Sequence, residues 1–358
     1  MPPLTPQEFN PSLIWIWLVD ANYDRADTAI LSAIAQSSGS LESKADTEVA
    51  GEIPALTRSQ LQRLMEEGRV TQGTAPLKAN SKLRGGMKVR IEFPPPRPTE
   101  LVPENQPLDI LFQDEHLVVV NKPPGLTVHP SSTQMEGTLV HVLLHHIQDL
   151  SGIGGVLRPG IVHRIDKNTS GALVITKNDL AHTRLAEIFA QHDIERAYWA
   201  LCYGSPDSAN SSAPIKIESL IGRSPNDRKK MSMKVTTGRK ATSYYRKLTE
   251  FSLPNKKPFA SWVEVTLETG RTHQVRVHLT GIGHSILGDP MYGTPTDTQH
   301  KWQALPLEVR NAVKILPGQA LHARVLGFKH PITGEKLRFE APAPPQFQNV
   351  LDALKNYS

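Results

Sequence analysis

The stretch HRIDKNTSG (163–171) sets a lone carboxylate, Asp166, among Arg164, Lys167 and Thr169, with an apolar run on either side. A carboxylate so surrounded has charge and hydroxyl partners at hand, which suits a catalytic group. The same residue types are also good turn formers, so a purely structural loop stands beside the catalytic reading. A second polar stretch is LETGRTHQVRVHLTGIGHSILGDPMYG (267–293), where Gly270 leaves room for Arg271 to approach a carboxylate or a phosphate closely. A third runs from Arg223 to Lys247 and holds nine Lys or Arg against one acid, Asp227. Arg228, Lys229 and Lys230 are consecutive there, and Tyr244 and Tyr245 follow. Cations mixed with hydroxyls and aromatics suit a nucleic-acid backbone and stacked bases; an ordinary solvated face is the plainer alternative.

Several other chemistries find no support. His141 and His145 stand four apart in HVLLHH, but no glutamate follows the first, so the zinc-protease pattern fails. GIGG (152–155) neither follows a strand nor opens a helix, as a dinucleotide site requires. No GxxxxGK[ST] phosphate loop occurs. The single cysteine, Cys202, excludes an internal disulfide and a Cys-rich zinc site. Lys plus Arg number 40 against 35 Asp plus Glu, a net of +5, so any nucleic-acid signal lies in placement rather than in total charge. No run of eighteen apolar residues and no apolar leader are present, which leads us to expect a soluble cytoplasmic protein.

Apolar spacing supplies the elements that carry these stretches. RADTAILSAIA (25–35) and LTRSQLQRLMEEG (56–68) read as helices, the second capped by Thr57, and residues 36–54 read as a loop or insertion. RVTQG and GGMKVRIEF add short strands. Arg58, Gln60 and Arg63 lie on the second helix and form a candidate RNA grip. The proline-rich stretch that starts at Phe93 reads as a spacer. We therefore expect a small domain at 12–92, a linker at 93–106 and a second domain at 107–350. In the second domain TLVHVLLHHI and DLAHTRLAEIFAQHD read as helices, and the other apolar runs as strands. HQVRVHL alternates too, and predicts a strand with His273, Val275, Val277 and Leu279 on one side and Gln274, Arg276 and His278 on the other. Many strands with few crossover helices predict an α+β domain around a mixed, largely antiparallel sheet.

Taken in order, these stretches resemble the motifs of the RluA/RluD-type pseudouridine synthase family. HRIDKNTSG is similar to its HRLDxxTSG motif, with Ile165 for leucine. LVVVNKPPGLTVHP, ERAYWALCYG (with Arg196 for a lysine), the basic segment, TGRTHQVRVHL and LHARVLGFKHPITGE resemble its other segments across about residues 107–345. The small domain resembles, more loosely, the RNA-binding domain named for ribosomal protein S-four, with Ala26 for leucine. The resemblance implies a bent catalytic sheet and isomerisation of uridine in RNA: the N1–C1′ bond breaks, the uracil turns, and C5 joins C1′. It implies no cofactor and no metal, and a nucleotide flipped out of its stack. By the same resemblance Asp166 acts as nucleophile at C1′ or base at C2′, and Arg271 pairs with it. Tyr198 stacks on the base and relays the C5 proton, and Arg164 fills the gap left in the RNA or holds its phosphate. By the same resemblance an N-terminal RNA-binding domain goes with large-subunit (23S) ribosomal RNA as substrate, and we expect a monomeric enzyme. Transfer RNA, or a non-catalytic role in ribosome assembly, stays open as an alternative. A glycoside hydrolase would need a second carboxylate near the first, and none of these stretches offers an obvious one.

Overall fold

A computed structural model describes residues 13–36, 40–43, 58–93, 101–130, 134–147, 160–206, 213–293 and 300–357. The chain divides into two compact units, Met1–Thr99 and Glu100–Ser358. The first holds β1 (Leu13–Leu18), α1 (Ala26–Ala35), β2 (Ser40–Ser43), α2 (Arg58–Glu66), β3 (Val70–Gln72), β4 (Ala75–Pro76) and β5 (Lys88–Phe93). Its antiparallel sheet runs in the order β2-β1-β5-β3-β4. Ile30 and Ile34 of α1 and Leu61 and Leu64 of α2 share one core with Trp15, Trp17 and Ile91 of the sheet. The loop expected at 36–54 needs correction: residues 40–43 extend the sheet by pairing with β1. Residues 44–57, with the Thr57 cap, and residues 94–100 of the expected linker lie outside the described residues.

The second unit contains β6 (Asp109–Gln113), β7 (Leu117–Lys122), α3 (Leu139–His146), β8 (Ser170–Thr176), α4 (Asp179–Ala190), β9 (Ile194–Tyr203), β10 (Ile215–Arg223), β11 (Met231–Ser232) and β12 (Arg239–Ser252). There follow β13 (Pro258–Leu267), α5 (Gln274–Gly281), α6 (His300–Gln303), α7 (Leu307–Lys314), β14 (Leu321–Lys329), β15 (Lys336–Glu340) and α8 (Pro345–Lys355). One sheet runs in the order β11-β10-β12-β13-β9-β14-β8-β7-β6, and β15 adds to β14. Neighbours are antiparallel except β14 and β8, which agrees with the expected α+β class. Strands β7 and β8 read as unbroken apolar runs because both their faces are covered. Val118, Val120, Leu173 and Ile175 pack with Leu139 and Leu143 of α3. Leu117, Val119 and Val174 pack with Leu185 of α4, whose first turn is capped where Asn178 Oδ1 accepts the Ala181 N–H at 3.0 Å. Phe347, Val350 and Leu354 of α8 close a third core with Leu201, Val263 and Val265. Among the described residues no helix is long and apolar enough to cross a membrane.

The run expected to be a strand, HQVRVHL, is instead the start of α5. Its alternation misled because the helix is buried on every side: Gln274 through Leu279 are all buried. The polar members meet partners rather than water. Gln274 Nε2 donates to the Thr242 carbonyl and to Ser243 Oγ, each at 2.9 Å, and the two His278 nitrogens lie 2.9 Å from Ser243 Oγ and 3.1 Å from Ser219 Oγ.

The single parallel step in the sheet lies where the polar loop 163–169 enters β8. His322 of β14 pairs there with Ser170, and Ala323 with Gly171. Gly171 has φ +116°, and a Cβ on it would lie 2.2 Å from the Ala323 carbonyl oxygen. Both the dihedral and the space exclude a side chain. Gly171→Ala is expected to lower unfolding free energy by at least about 2 kcal/mol in urea titration.

Candidate active site

Asp166 opens a tight turn: its carbonyl accepts the Thr169 N–H at 3.0 Å just before β8 begins. Three neighbouring segments hold this turn. The Lys167 carbonyl accepts the Gly125 N–H at 2.9 Å and a bond from Lys122 Nζ at 3.0 Å. Lys122 is fully buried and also donates to the carbonyls of Pro123 at 2.8 Å and Leu126 at 2.9 Å. Burial pushes its pKa down to about 7, against the pull of the Asp166 charge, yet three carbonyl acceptors require the three donors of an ammonium. The NKPPG segment is thus a clamp on the loop. Behind it Gln319 Nε2 donates to Thr169 Oγ1 at 2.9 Å. The Ser170 hydroxyl donates to His322 Nδ1 at 2.9 Å, an acceptor because Nε2 must carry the proton given to the Ala341 carbonyl.

The carboxylate itself meets a guanidinium, but from Arg276 and not from Arg271. Arg276 Nη1 donates to Asp166 Oδ2 at 2.8 Å, while Nε and Nη2 donate to Asp289 at 2.7 and 2.9 Å. Asp289 is fully buried and Arg276 nearly so. Although burial opposes it, the hydrogen bonds and charges of Asp289 and Asp166 hold the Arg276 guanidinium well above its ordinary pKa. Asp289 also accepts the Met291 and Tyr292 N–H groups at 2.9 and 3.0 Å, which turns the GDPMYG segment around it. Arg271 points elsewhere: its Nε donates to the Lys240 carbonyl at 3.1 Å. The expected partner was wrong because Arg276, read as one side of a strand, is instead carried by a buried helix that brings its guanidinium to Asp166.

Helix α5 starts at a strained residue. His273 has φ +57°, a left-handed conformation uncommon for a residue with a side chain. Its Nδ1 lies 2.9 Å from Tyr292 Oη, and its Nε2 lies 3.8 Å from Asp166 Oδ1, the oxygen that Arg276 leaves uncovered. Tyr292 Oη accepts the Met231 N–H at 2.9 Å, and its ring lies 5.0 Å from the Arg276 guanidinium. Burial, the first cause, lowers the His273 pKa against the pull of Asp166, so the neutral ring is favoured.

Asp166 opens onto a cavity of about 580 Å³, which Tyr198, Arg164, Arg271, Arg196, His163 and Phe189 also line. The structure therefore brings the four expected residues Asp166, Tyr198, Arg164 and Arg271 to one cavity. Burial raises the Tyr198 pKa, and Arg164 is exposed. His163 stacks on Phe189 with ring centroids 4.5 Å apart, and burial, aided by the Arg196 charge, pushes it to about 3. Sequence reasoning passed over Arg276, Asp289, Tyr292 and Lys122 as site residues, although all four stand inside segments it had singled out.

The other expected cations divide into engaged and free. Arg58 donates from Nε and Nη2 to Asp27 Oδ2 at 3.0 and 2.8 Å, and Arg25 donates to the same carboxylate. Arg25 first, and then Arg58, hold the buried Asp27 well below the usual carboxylate range, so Arg58 is a strut between α1 and α2. Arg63 pairs with Glu67 at 2.9 Å. Gln60 lies in α2, but its side chain is outside the described residues. Arg228 and Lys229 stand exposed at the tip joining β10 and β11, and Lys230 lies 4.0 Å from Asp227.

Residues 116–280 match a family model described as RNA pseudouridylate synthase. The chain is 44% identical over 315 residues to a ribosomal large subunit pseudouridine synthase D of Zymomonas mobilis, covering 86% of this chain and 93% of that one. It is 38% identical to an uncharacterized RNA pseudouridine synthase of Synechocystis, covering 91% and 93%. Among solved structures, human RNA pseudouridylate synthase domain containing 4 is similar at 27% identity and a TM-score of 0.50, covering 69% of this chain and 93% of that one.

The two arginines separate in a stability measurement. Arg276→Met strands Asp289 as an unpaired buried charge and is expected to cost ~3–5 kcal/mol in chemical denaturation. Arg271→Ala breaks one bond to a carbonyl and should stay within about 1.5 kcal/mol of the parent.

Proposed function

Because the chain belongs to the RNA pseudouridine synthase family, we propose that it converts uridines of large-subunit ribosomal RNA to pseudouridine, with Asp166 as the essential carboxylate. The observation that carries the role of Asp166 is its geometry. One oxygen is fixed by a buried guanidinium, and the other faces a cavity large enough for a nucleotide. The isomerisation needs one carboxylate held still against a ribose, and the bridge through Arg276 to Asp289 supplies that rigidity. Tyr198 offers a flat aromatic floor for the flipped base. Arg164, exposed beside the loop, fills the space the base vacates or takes its phosphate. With Arg276 engaged by Asp166, we assign Arg271 to the RNA side of the site.

The ribosomal target is supported by the relatives named as large-subunit enzymes and by a separate N-terminal unit whose α1–α2 pair resembles the S-four type of RNA-binding domain. On this reading residues 12–92 and the cations Arg228, Lys229 and Lys230 grip RNA around the target. The enzyme works as a monomer in the cytoplasm, where ribosomal RNA is found.

Asp166→Asn is expected to abolish pseudouridine formation in a large-subunit RNA transcript while RNA affinity stays within ~3-fold, because the lost group acts in the transition state. Pseudouridine mapping with and without the gene tests the target; sites lost from transfer RNA alone would overturn the ribosomal assignment. Replacing Lys229 and Lys230 together by Ala should weaken RNA binding and flatten its dependence on log salt by ~1.4, about 0.7 for each lost phosphate contact.

A further inference from the structure

Arg196 is a cation without a carboxylate in a place where a cation is costly. It lies on β9 two residues before Tyr198, on the same face of the strand, and both side chains line the Asp166 cavity. Its Nη2 donates to the Glu268 carbonyl at 3.2 Å, while its Nε is buried with no hydrogen-bond partner. Gly270 makes room for it: a Cβ there would lie 2.5 Å from Arg196 Nη1. Burial lowers the Arg196 pKa against the pull of Tyr198, and the nearby charge of Arg271 lowers it further. Among the described residues no carboxylate offsets these costs, whereas the buried guanidinium of the site, Arg276, has two. A half-buried guanidinium with a buried, unpartnered Nε, beside the aromatic floor of a pocket, is arranged for an anion that arrives later.

We propose that Arg196 stabilises the uracil anion formed when the glycosidic bond breaks. This rests on the cavity being the uridine site. As N1 parts from C1′, the bonding electron pair leaves with the base and spreads over N1, O2 and O4, whether Asp166 attacks C1′ or removes the C2′ proton. The ring then turns and C5 bonds to C1′ through an electron pair of the ring, as the C1′–Asp166 bond breaks or the proton held by Asp166 returns to C2′; the C5 proton is lost while N1 gains one. Atoms and electrons balance without a co-reactant. A base lying over Tyr198 puts a carbonyl edge toward Arg196, whose fixed charge binds the anion better than the neutral uracil.

The test compares single-turnover rates at saturating enzyme for the parent, Arg196→Met, Arg196→Gln (which keeps a donor for the Glu268 carbonyl) and Arg196→Lys. Each acts on the same RNA carrying uridine or 5-fluorouridine at the target, with loss of the target nucleoside quantified by chromatography, since 5-fluorouridine has no C5 proton to release. Fluorine makes the departing base a weaker base, so it needs less help to leave. On uridine the Met and Gln variants should lose ~100-fold in rate with RNA affinity within ~3-fold, and the Lys variant ~10-fold or less. On 5-fluorouridine the Met and Gln deficits should shrink by ~10-fold or more, and the Lys deficit should fall to within ~2-fold of the parent. Equal deficits on both substrates would overturn the proposal. So would weakened RNA affinity with an unchanged saturated rate, which would make Arg196 a phosphate contact. If the two neutral variants fail to fold, the shrinkage of the Lys deficit decides alone. An inactive parent, or an active Asp166→Asn, would strike the assignment of the site itself; equal deficits with both controls as expected strike only the role of Arg196.

Discussion

One guanidinium shared by two carboxylates organises the second unit. Removing Arg276, Asp289 and most of Asp166 from water carries a desolvation cost that only close, well-aligned partners offset. The site supplies them: three charge-assisted bonds of 2.7–2.9 Å leave Arg276, and two backbone N–H groups complete Asp289. Much of the local backbone follows from that requirement. Helix α5 must begin where it does to aim Arg276 inward, so His273 takes a left-handed conformation at its start. The GDPMYG segment must fold around Asp289, which brings Tyr292 against the guanidinium and against the Met231 amide of the basic segment.

The fold was legible in the sequence where burial was one-sided or continuous. The apolar runs of β7 and β8, the helical spacing of α1 and α4, and the near absence of crossover helices gave the α+β class directly. Legibility failed at α5 because a helix buried all round has no polar side to set its period, and its Val and Arg residues alternate by chance. It failed at β2 because SLES is polar, and a short strand pairing on one side of a sheet needs no apolar signature. The site was legible as a set of stretches rather than as a set of contacts. The family resemblance located Asp166 and the motifs around it where residue types alone left a turn open, but neither tells which of Arg271 and Arg276 reaches across 110 residues of chain to the carboxylate.

Basic residues also proved to be of several physical kinds. Arg58 and Arg276 are committed to buried carboxylates and hold elements together. Lys122 spends its charge on backbone carbonyls. Arg228 and Lys229 remain in solvent, where their field reaches about a Debye length and depends on salt. A count of cations merges these kinds, and for this reason a net charge of +5 says little about where RNA would lie.

The parallel step between β8 and β14 has a consequence for how the enzyme comes into being. Ser170 meets its histidine 152 residues later, and that histidine depends in turn on the carbonyl of Ala341. Contacts of such sequence separation form late, since the intervening loop must close before they contribute. A chain emerging from the ribosome would carry its cationic surfaces before Asp166 has its final setting. RNA attraction would thus precede chemistry during synthesis, and the capacity to rearrange a uridine would come only with the last strands of the domain.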